Sequence, residues 1–139
     1  MTPQQKTLVR SSWARLRPKA DLFAATFYGR VFATSPNARR LFGNKDMHHQ
    51  GALFLQMLAM FVRSLDTDES GVIDSIAASG KRHVGYGVAY TDYDGVGEAL
   101  LWAAAELLGD RFTPDARAAW AEAYAMLAAT MRQASSSIL

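Results

Sequence analysis

The chain contains three histidines and no cysteine, so histidine side chains are the first candidates for binding a metal ion. His48 and His49 are adjacent, and His83 stands alone in a later segment. A neutral imidazole binds a metal through one ring nitrogen, and an acceptor on the other nitrogen fixes the orientation of the ring. For His83 that acceptor could be the carbonyl or hydroxyl oxygen of Ser79, one helical turn earlier. The alternative for a single helical histidine is ordinary solvation or packing.

Glycines on both sides of His83 distinguish it from an ordinary surface histidine. A glycine within a helix costs about 1 kcal/mol relative to alanine. Gly85 is explained as the cap that ends the helix, together with Gly87. Gly80 has no such explanation, because it lies one turn before His83 on the same face and leaves the backbone open to a flat group. Haem is a flat group whose iron takes a histidine nitrogen, and His83 is therefore a candidate iron ligand.

Two polar residues fall on otherwise apolar helix faces. Tyr28 lies on the aromatic-rich face of the second predicted helix, and Gln50 shares a face with Phe54 and Phe61 in the fourth. A buried donor without a partner costs roughly 1 to 3 kcal/mol, so both side chains should find one. Either could donate a hydrogen bond to a ligand in the interior. The alternatives are a core tyrosine bonded to a nearby carbonyl and a glutamine solvated in a first helical turn.

The elements that must position these residues are helices. Hydroxyl residues followed by proline mark helix starts at Thr2, Ser35 and Thr113, where the hydroxyl caps the first turn and proline fits the first position. Elsewhere apolar residues recur at helical spacing, and no segment has the pattern of a strand. The sequence predicts one all-α domain over residues 1–139, with a disordered tail at 135–139. The predicted helices cover about 2–17, 20–34, 36–42, 48–65, 71–85, 92–109 and 114–134.

Composition narrows the class of protein. A length of 139 residues favours one domain with a sizeable core. The 15 basic and 13 acidic residues form no long run of one sign, which argues against nucleic-acid and membrane-surface partners. The absence of cysteine excludes disulfides, thiolate metal sites and thioether attachment of a cofactor. We find no signal peptide or membrane-spanning stretch in the sequence and expect a cytoplasmic protein.

An ordered set of residues covering nearly the whole chain resembles the bacterial globins. The resemblance is to the single-domain bacterial haemoglobins and to the haem domain of flavohaemoglobins, and it implies a globin fold of about seven helices around a haem pocket. The set, in chain order, is Tyr28, Leu41-Phe42, Gln50, Gly80-Lys81-Arg82-His83, Tyr86-Gly87-Val88, Tyr93-Asp94-Gly95-Val96-Gly97, Trp120 and Tyr124.

The resemblance implies that the cofactor is haem b, iron protoporphyrin IX, with His83 as the proximal iron ligand. It makes Phe42 the ring stacked on the haem, and it makes Tyr28 and Gln50 the hydrogen-bonding pair on the distal side. The other residues expected to contact the cofactor are Phe54, Arg82, Val88, Tyr93 and Val96.

A second residue is an alternative for the distal position. Matching Gln50 to that position requires a short gap, relative to the family pattern, in the polar corner before it. If the gap lies elsewhere, His49 takes that position instead. A histidine at 48 or 49 could then bind the iron itself when no gas is present, although we expect both to be solvated at the helix entrance. Lys81 and Arg82 could pair with the haem propionates, with a solvated basic face as the alternative.

One departure from the flavohaemoglobin pattern concerns the proximal side. In that pattern a glutamate late in the last helix pairs with the tyrosine that matches Tyr93 and orients the proximal histidine. Here residues 131–135 include no acid, and Glu122 lies too early in the helix. We therefore expect a more neutral proximal imidazole.

The resemblance implies tight binding of dioxygen at a pentacoordinate ferrous iron, for scavenging or storage. The first alternative is a nitric oxide dioxygenase, which would need a separate reductase because the sequence ends at Leu139 without a flavin domain. A haem-based gas sensor is a second alternative, and a haem-free globin for stress sensing is a third. We expect diatomic gases as ligands and either a monomer or a homodimer.

Overall fold

The computed structural model describes residues 1–43, 45–65 and 92–136, and within these ranges it contains six α-helices and no strand. The prediction of an all-α fold is confirmed. The fifth of the seven predicted helices, at about 71–85, lies outside the described residues. The helices are α1 (Pro3–Leu16), α2 (Ala20–Thr34), α3 (Pro36–Phe42), α4 (Met47–Ser64), α5 (Asp92–Leu108) and α6 (Pro114–Ser136).

Two short 3-10 helices, Arg17–Lys19 and Gly109–Arg111, connect α1 to α2 and follow α5. The last helix continues to Ser136, so it includes the first two residues of the predicted tail. In the described part of the chain, no helix is both long and apolar enough to cross a membrane.

Side-chain caps set the helix starts. Thr2, Ser35 and Thr113 each accept a hydrogen bond from the backbone N–H three residues later, as the sequence predicted. Such caps are each worth about 0.5 to 2 kcal/mol. The cap of α4 was not predicted: the Asp46 carboxylate accepts from two backbone N–H groups of the first turn, at 3.0 and 3.3 Å. This cap begins α4 at Met47 and so fixes which residues of its first turn face inward.

The core forms where α2 packs against α4 and α5, while α1 packs against α6. Burial of apolar side chains is the main force that holds these helices together. The largest fully buried side chains are those of Trp120, Phe23, Leu16, Leu58 and Val9. As a result, α2 lies between the two helices that carry most of the described candidate site residues.

A polar contact on the surface also joins α2 to α5. The Arg30 guanidinium donates to both carboxylate oxygens of Glu98, with a shortest distance of 2.7 Å. The Arg30 guanidinium carbon also lies 5.0 Å from the centre of the Trp102 ring. Hydrogen bonding to Glu98 raises the pKa of Arg30 above its ordinary value. The contact links the two helices at the protein surface.

Candidate functional site

Three predicted site residues from three different helices meet at one place. The ring of Tyr28 on α2 lies 5.8 Å from that of Phe42 on α3 and 5.8 Å from that of Phe54 on α4, edge to face in both cases. Such a geometry is favourable for aromatic pairs. Phe27 and Phe32 complete the group, which we call the aromatic cluster. The structure therefore brings together residues that are far apart in the sequence.

A parallel stack fixes α4 against α2 within this cluster. The rings of Phe27 and Phe54 lie 4.2 Å apart with an angle of 2° between their planes. Phe27 is buried, whereas Phe54 is partly buried and keeps part of its surface accessible. Phe54 is thus held in place on one side and can offer apolar surface to a ligand.

Tyr28 and Gln50, the predicted distal pair, are also brought together. The Gln50 side chain lies within reach of the Tyr28 hydroxyl, and hydrogen bonding from Gln50 lowers the pKa of that hydroxyl. Burial raises the pKa of Tyr28 to about 12, and the bond to Gln50 only partly offsets that effect. The phenol therefore remains protonated at neutral pH and can donate its proton in a hydrogen bond. The glutamine amide keeps one further N–H donor and its carbonyl acceptor.

A close helix crossing explains why these two side chains meet. A Cβ atom added to Gly51 would lie 3.4 Å from the Cβ atom of Ala24 on α2. Gly51 directly follows Gln50, and Ala24 precedes Tyr28 by one turn. Because both crossing residues are small, α4 approaches α2 closely enough for Gln50 to reach the hydroxyl of Tyr28.

The two histidines at the start of α4 have a different environment. His48 and His49 are exposed, as expected for residues at a helix entrance, and their backbone N–H groups donate to the carboxylate of Asp46. Gln50 is partly buried and bonded to Tyr28. This geometry favours Gln50 over His49 as the distal residue.

Tyr93 and Val96 lie at the start of α5. Tyr93 is buried and Val96 is partly buried. The backbone carbonyl of Tyr93 accepts a hydrogen bond of 2.5 Å from the Tyr124 hydroxyl on α6. The Tyr124 ring lies over Gly97, where an added Cβ atom would be only 2.6 Å from it. This contact between α5 and α6 holds the backbone of both candidate residues, and sequence analysis did not anticipate it.

Three predicted residues, Arg82, His83 and Val88, lie outside the described residues, and their roles stay predictions. In the described ranges, no group of three or more histidine, aspartate or glutamate side chains could hold a metal ion. What these ranges provide is an aromatic cluster with a neutral hydrogen-bonding pair. Apolar surface with a few distal donors is the environment that suits a haem and a diatomic ligand, so the residues present fit the cofactor.

Comparison with known sequences decides the family. A sequence model of the globin family matches residues 25–131. The chain belongs to the globin family. This globin is 31% identical over 134 residues to a flavohemoprotein of Chromobacterium violaceum and 31% identical over 135 residues to one of Deinococcus radiodurans. In each case the match covers 94% of this chain and 33% of the relative, so the globin spans a third of the flavohemoprotein length.

Two further relatives match over most of their own length. The globin is 25% identical over 144 residues to anaerobic nitrite reductase HBII of Casuarina glauca, covering 94% of this chain and 90% of that protein. It also superposes with a TM-score of 0.82 on a crystal structure from Pseudomonas aeruginosa, a protein described as structurally highly homologous to a human hemoglobin. That match has 24% identity and covers 94% of this chain and 97% of the other. The globin fold predicted from the sequence is confirmed, and membership of the family implies haem-based binding of diatomic gases.

Proposed function

We propose that this globin binds haem b and holds dioxygen tightly, in a role of scavenging or storage. The observation that carries the proposal is that Gln50 lies beside Tyr28, whose ring belongs to the aromatic cluster. A storage protein needs slow release of its ligand. Two neighbouring hydrogen-bond donors provide a physical means of slowing that release.

Haem would supply a ferrous iron that binds dioxygen, and His83 is proposed as the residue that would hold that iron. The protein would act through hydrogen bonds to the partial negative charge that dioxygen acquires there. If the Tyr28 hydroxyl and the Gln50 amide each contributed about 1 to 2 kcal/mol, the dioxygen affinity would rise roughly 30-fold to 1000-fold. Carbon monoxide gathers less negative charge and would gain less.

The remaining roles are proposed from the same geometry. Phe42 and Phe54 would pack on the cofactor from α3 and α4, and Val96 and Tyr93 from the start of α5. Arg82 and Val88 are proposed as cofactor contacts on the resemblance alone. The cytoplasm remains the predicted location.

The test is the rate of dioxygen dissociation from haem-loaded protein, measured by stopped flow. Tyr28→Phe removes one donor and keeps the ring, and we expect dioxygen to leave about tenfold faster, corresponding to about 1.4 kcal/mol. Gln50→Leu should also speed the release, whereas His49→Leu is the matched control and should not. Carbon monoxide dissociation should change less in all three variants. Unchanged dioxygen release in both Tyr28→Phe and Gln50→Leu would refute the donor roles.

Nitric oxide dioxygenase activity is the second candidate, because the flavohemoproteins are similar over almost the whole globin. In that case the tyrosine and glutamine would hold dioxygen for reaction with nitric oxide, and a separate reductase would restore the ferrous state. Adding nitric oxide to the oxygenated protein distinguishes the candidates. Sustained turnover with an external electron donor, at rates far above dioxygen release, would favour the enzyme over the store.

A further inference from the structure

A groove runs along the surface where α2 crosses α4. It has a volume of about 640 Å³, and small residues make up much of its lining, among them Ala25 and Gly29 of α2 and Gly51 and Ala52 of α4. Ala25 and Ala52 are exposed, so the groove opens to solvent between the two helices. Gly51 lies in the crossing itself, where a Cβ atom would contact Ala24.

The inner wall of the groove is shared with the candidate site. Tyr28 and Phe32 line the groove and also belong to the aromatic cluster. Tyr28 is further bonded to Gln50. Gln50 does not line the groove, so the Tyr28 side chain lies between the groove and Gln50. Movement of this one ring would open the groove towards Gln50.

The chemistry of the lining indicates what could pass along it. Among the described residues that line the groove, the polar side chains besides Tyr28 are Asp21 and His48. The apolar part of the lining suits an uncharged molecule, and the Asp21 carboxylate disfavours an anion. A diatomic gas is uncharged and small enough to pass along the groove.

We propose that the α2–α4 groove is the path by which diatomic gases enter and leave the distal site, and that the Tyr28 ring is its gate. This inference rests on the proposed function, because it assumes that a gas is bound beside Tyr28 and Gln50. A path differs from a binding site in one measurable respect. Blocking it raises the barrier in both directions and leaves the equilibrium constant unchanged.

Filling the groove from either wall tests the path. Ala25→Trp and Ala52→Trp each place a large side chain in the groove without changing a core residue. We expect association after flash photolysis of the carbon monoxide complex and dissociation measured by ligand replacement to slow by the same factor, roughly tenfold, or about 1.4 kcal/mol on the barrier. The control is Ala118→Trp, since Ala118 is exposed on α6 and does not line the groove.

Xenon gives a second readout that does not depend on reactions at the iron. Xenon binds to apolar protein surface, which the alanines and Leu55 of the groove provide. We expect dissolved xenon to shift the methyl NMR signals of Ala24 and Leu55 in the wild-type protein and in Ala118→Trp, but not in Ala25→Trp.

The outcomes separate the path from the proposed function. Equal slowing of both rates in the two filled variants, with loss of the xenon shifts, would support the path. Unchanged rates in haem-loaded filled variants would overturn it while leaving the proposed function intact. A changed equilibrium constant would also overturn it, because the groove would then act on the bound state. Failure of the wild-type protein to bind haem would instead refute the proposed function.

Discussion

Two helix pairs border the candidate site, and they are joined in opposite ways. Between α2 and α4, small residues meet and leave a groove beside them, with Tyr28 at its inner wall. Between α5 and α6, the ring of Tyr124 fills the space over Gly97 and bonds to the backbone of Tyr93. Packing with space allows a side chain to move, whereas an interlocked ring does not. We infer that gas molecules pass beside the α2–α4 contact and that the α5–α6 contact is a fixed support.

The α5–α6 contact should be disturbed most strongly by replacing Gly97 with a larger residue. A Cβ atom there would lie 2.6 Å from the Tyr124 ring, which is held by its hydrogen bond to Tyr93. We expect Gly97→Ala to lower the free energy of unfolding by about 1 to 3 kcal/mol, the usual cost of overpacking, despite the better helix propensity of alanine. Urea denaturation followed by circular dichroism measures this.

Gly95→Ala is the matched control. An added Cβ atom at Gly95 has no neighbour within 4 Å, so this variant should be neutral or stabilised by up to about 1 kcal/mol. Combining Gly97→Ala with Tyr124→Leu should recover part of the loss, because the shorter side chain can leave the space. Equal stability of the Gly97→Ala and Gly95→Ala variants would show that the α5–α6 contact is not interlocked.

The crossing of α2 and α4 should tolerate a methyl group but not a larger side chain. The distance of 3.4 Å from a Cβ atom at Gly51 to Ala24 is an ordinary van der Waals contact. We expect Gly51→Ala to unfold at nearly the wild-type urea concentration. Gly51→Leu should cost about 1 to 2 kcal/mol and separate Gln50 from Tyr28, so dioxygen would leave faster. If Gly51→Leu kept the wild-type dissociation rate, the crossing would not be what positions the pair.

The burial of Tyr28 also predicts a pH dependence of stability. Its pKa of about 12 in the folded protein lies above the ordinary value of 10.0, so the folded state holds the proton more tightly than the unfolded chain does. That contribution is complete below pH 10 and is lost as the pH rises towards 12. The loss is at most about 3 kcal/mol by proton linkage.

Other groups titrate in the same range, so the measurement is a difference between two proteins. Urea unfolding at pH 9 and above should show a steeper loss of stability in the wild type than in Tyr28→Phe. Parallel pH profiles would mean that Tyr28 is not buried as the structure has it.

Interactions between residues that are close in the sequence could be predicted, whereas those that depend on the packing of distant residues could not. The caps at Thr2 and Ser35 involve residues a few positions apart, so their sequence signals sufficed. Gln50 was predicted as the distal residue, but the sequence could not exclude His49, because the choice depends on where Asp46 begins α4 and how closely Gly51 lets that helix approach α2. Both effects require the packed structure.

The α5–α6 contact and the α2–α4 groove were not predicted from the sequence, for a related reason. Gly97 and Tyr124 are far apart in the sequence, and neither residue type identifies the other as its partner. Much of the groove lining consists of alanines and glycines. Nothing in the sequence distinguishes these small residues from those elsewhere, so the groove could not be predicted. By contrast, the meeting of Tyr28, Phe42 and Phe54 agrees with the set of residues expected from the family resemblance.

The smallest expected effect concerns the link between the two helix pairs. Arg30 of α2 bonds to Glu98 of α5 and lies over Trp102, at the protein surface. A solvent-exposed ion pair contributes little to stability, and added salt weakens it further. We expect Glu98→Gln to lower the free energy of unfolding slightly at low ionic strength, with the difference from wild type disappearing in high salt.

The same variant tests whether the two helix pairs act independently. If the α5–α6 contact only supports the site, loosening its surface link to α2 should leave the gas association and dissociation rates unchanged. Trp102→Leu, which removes the ring beneath Arg30 and keeps the ion pair, is the companion variant and should behave likewise. If either substitution slowed both rates as strongly as Ala25→Trp, motion of α2 against α5 would also control the gate. The proposed division between a mobile α2–α4 contact and a fixed α5–α6 contact would then fail.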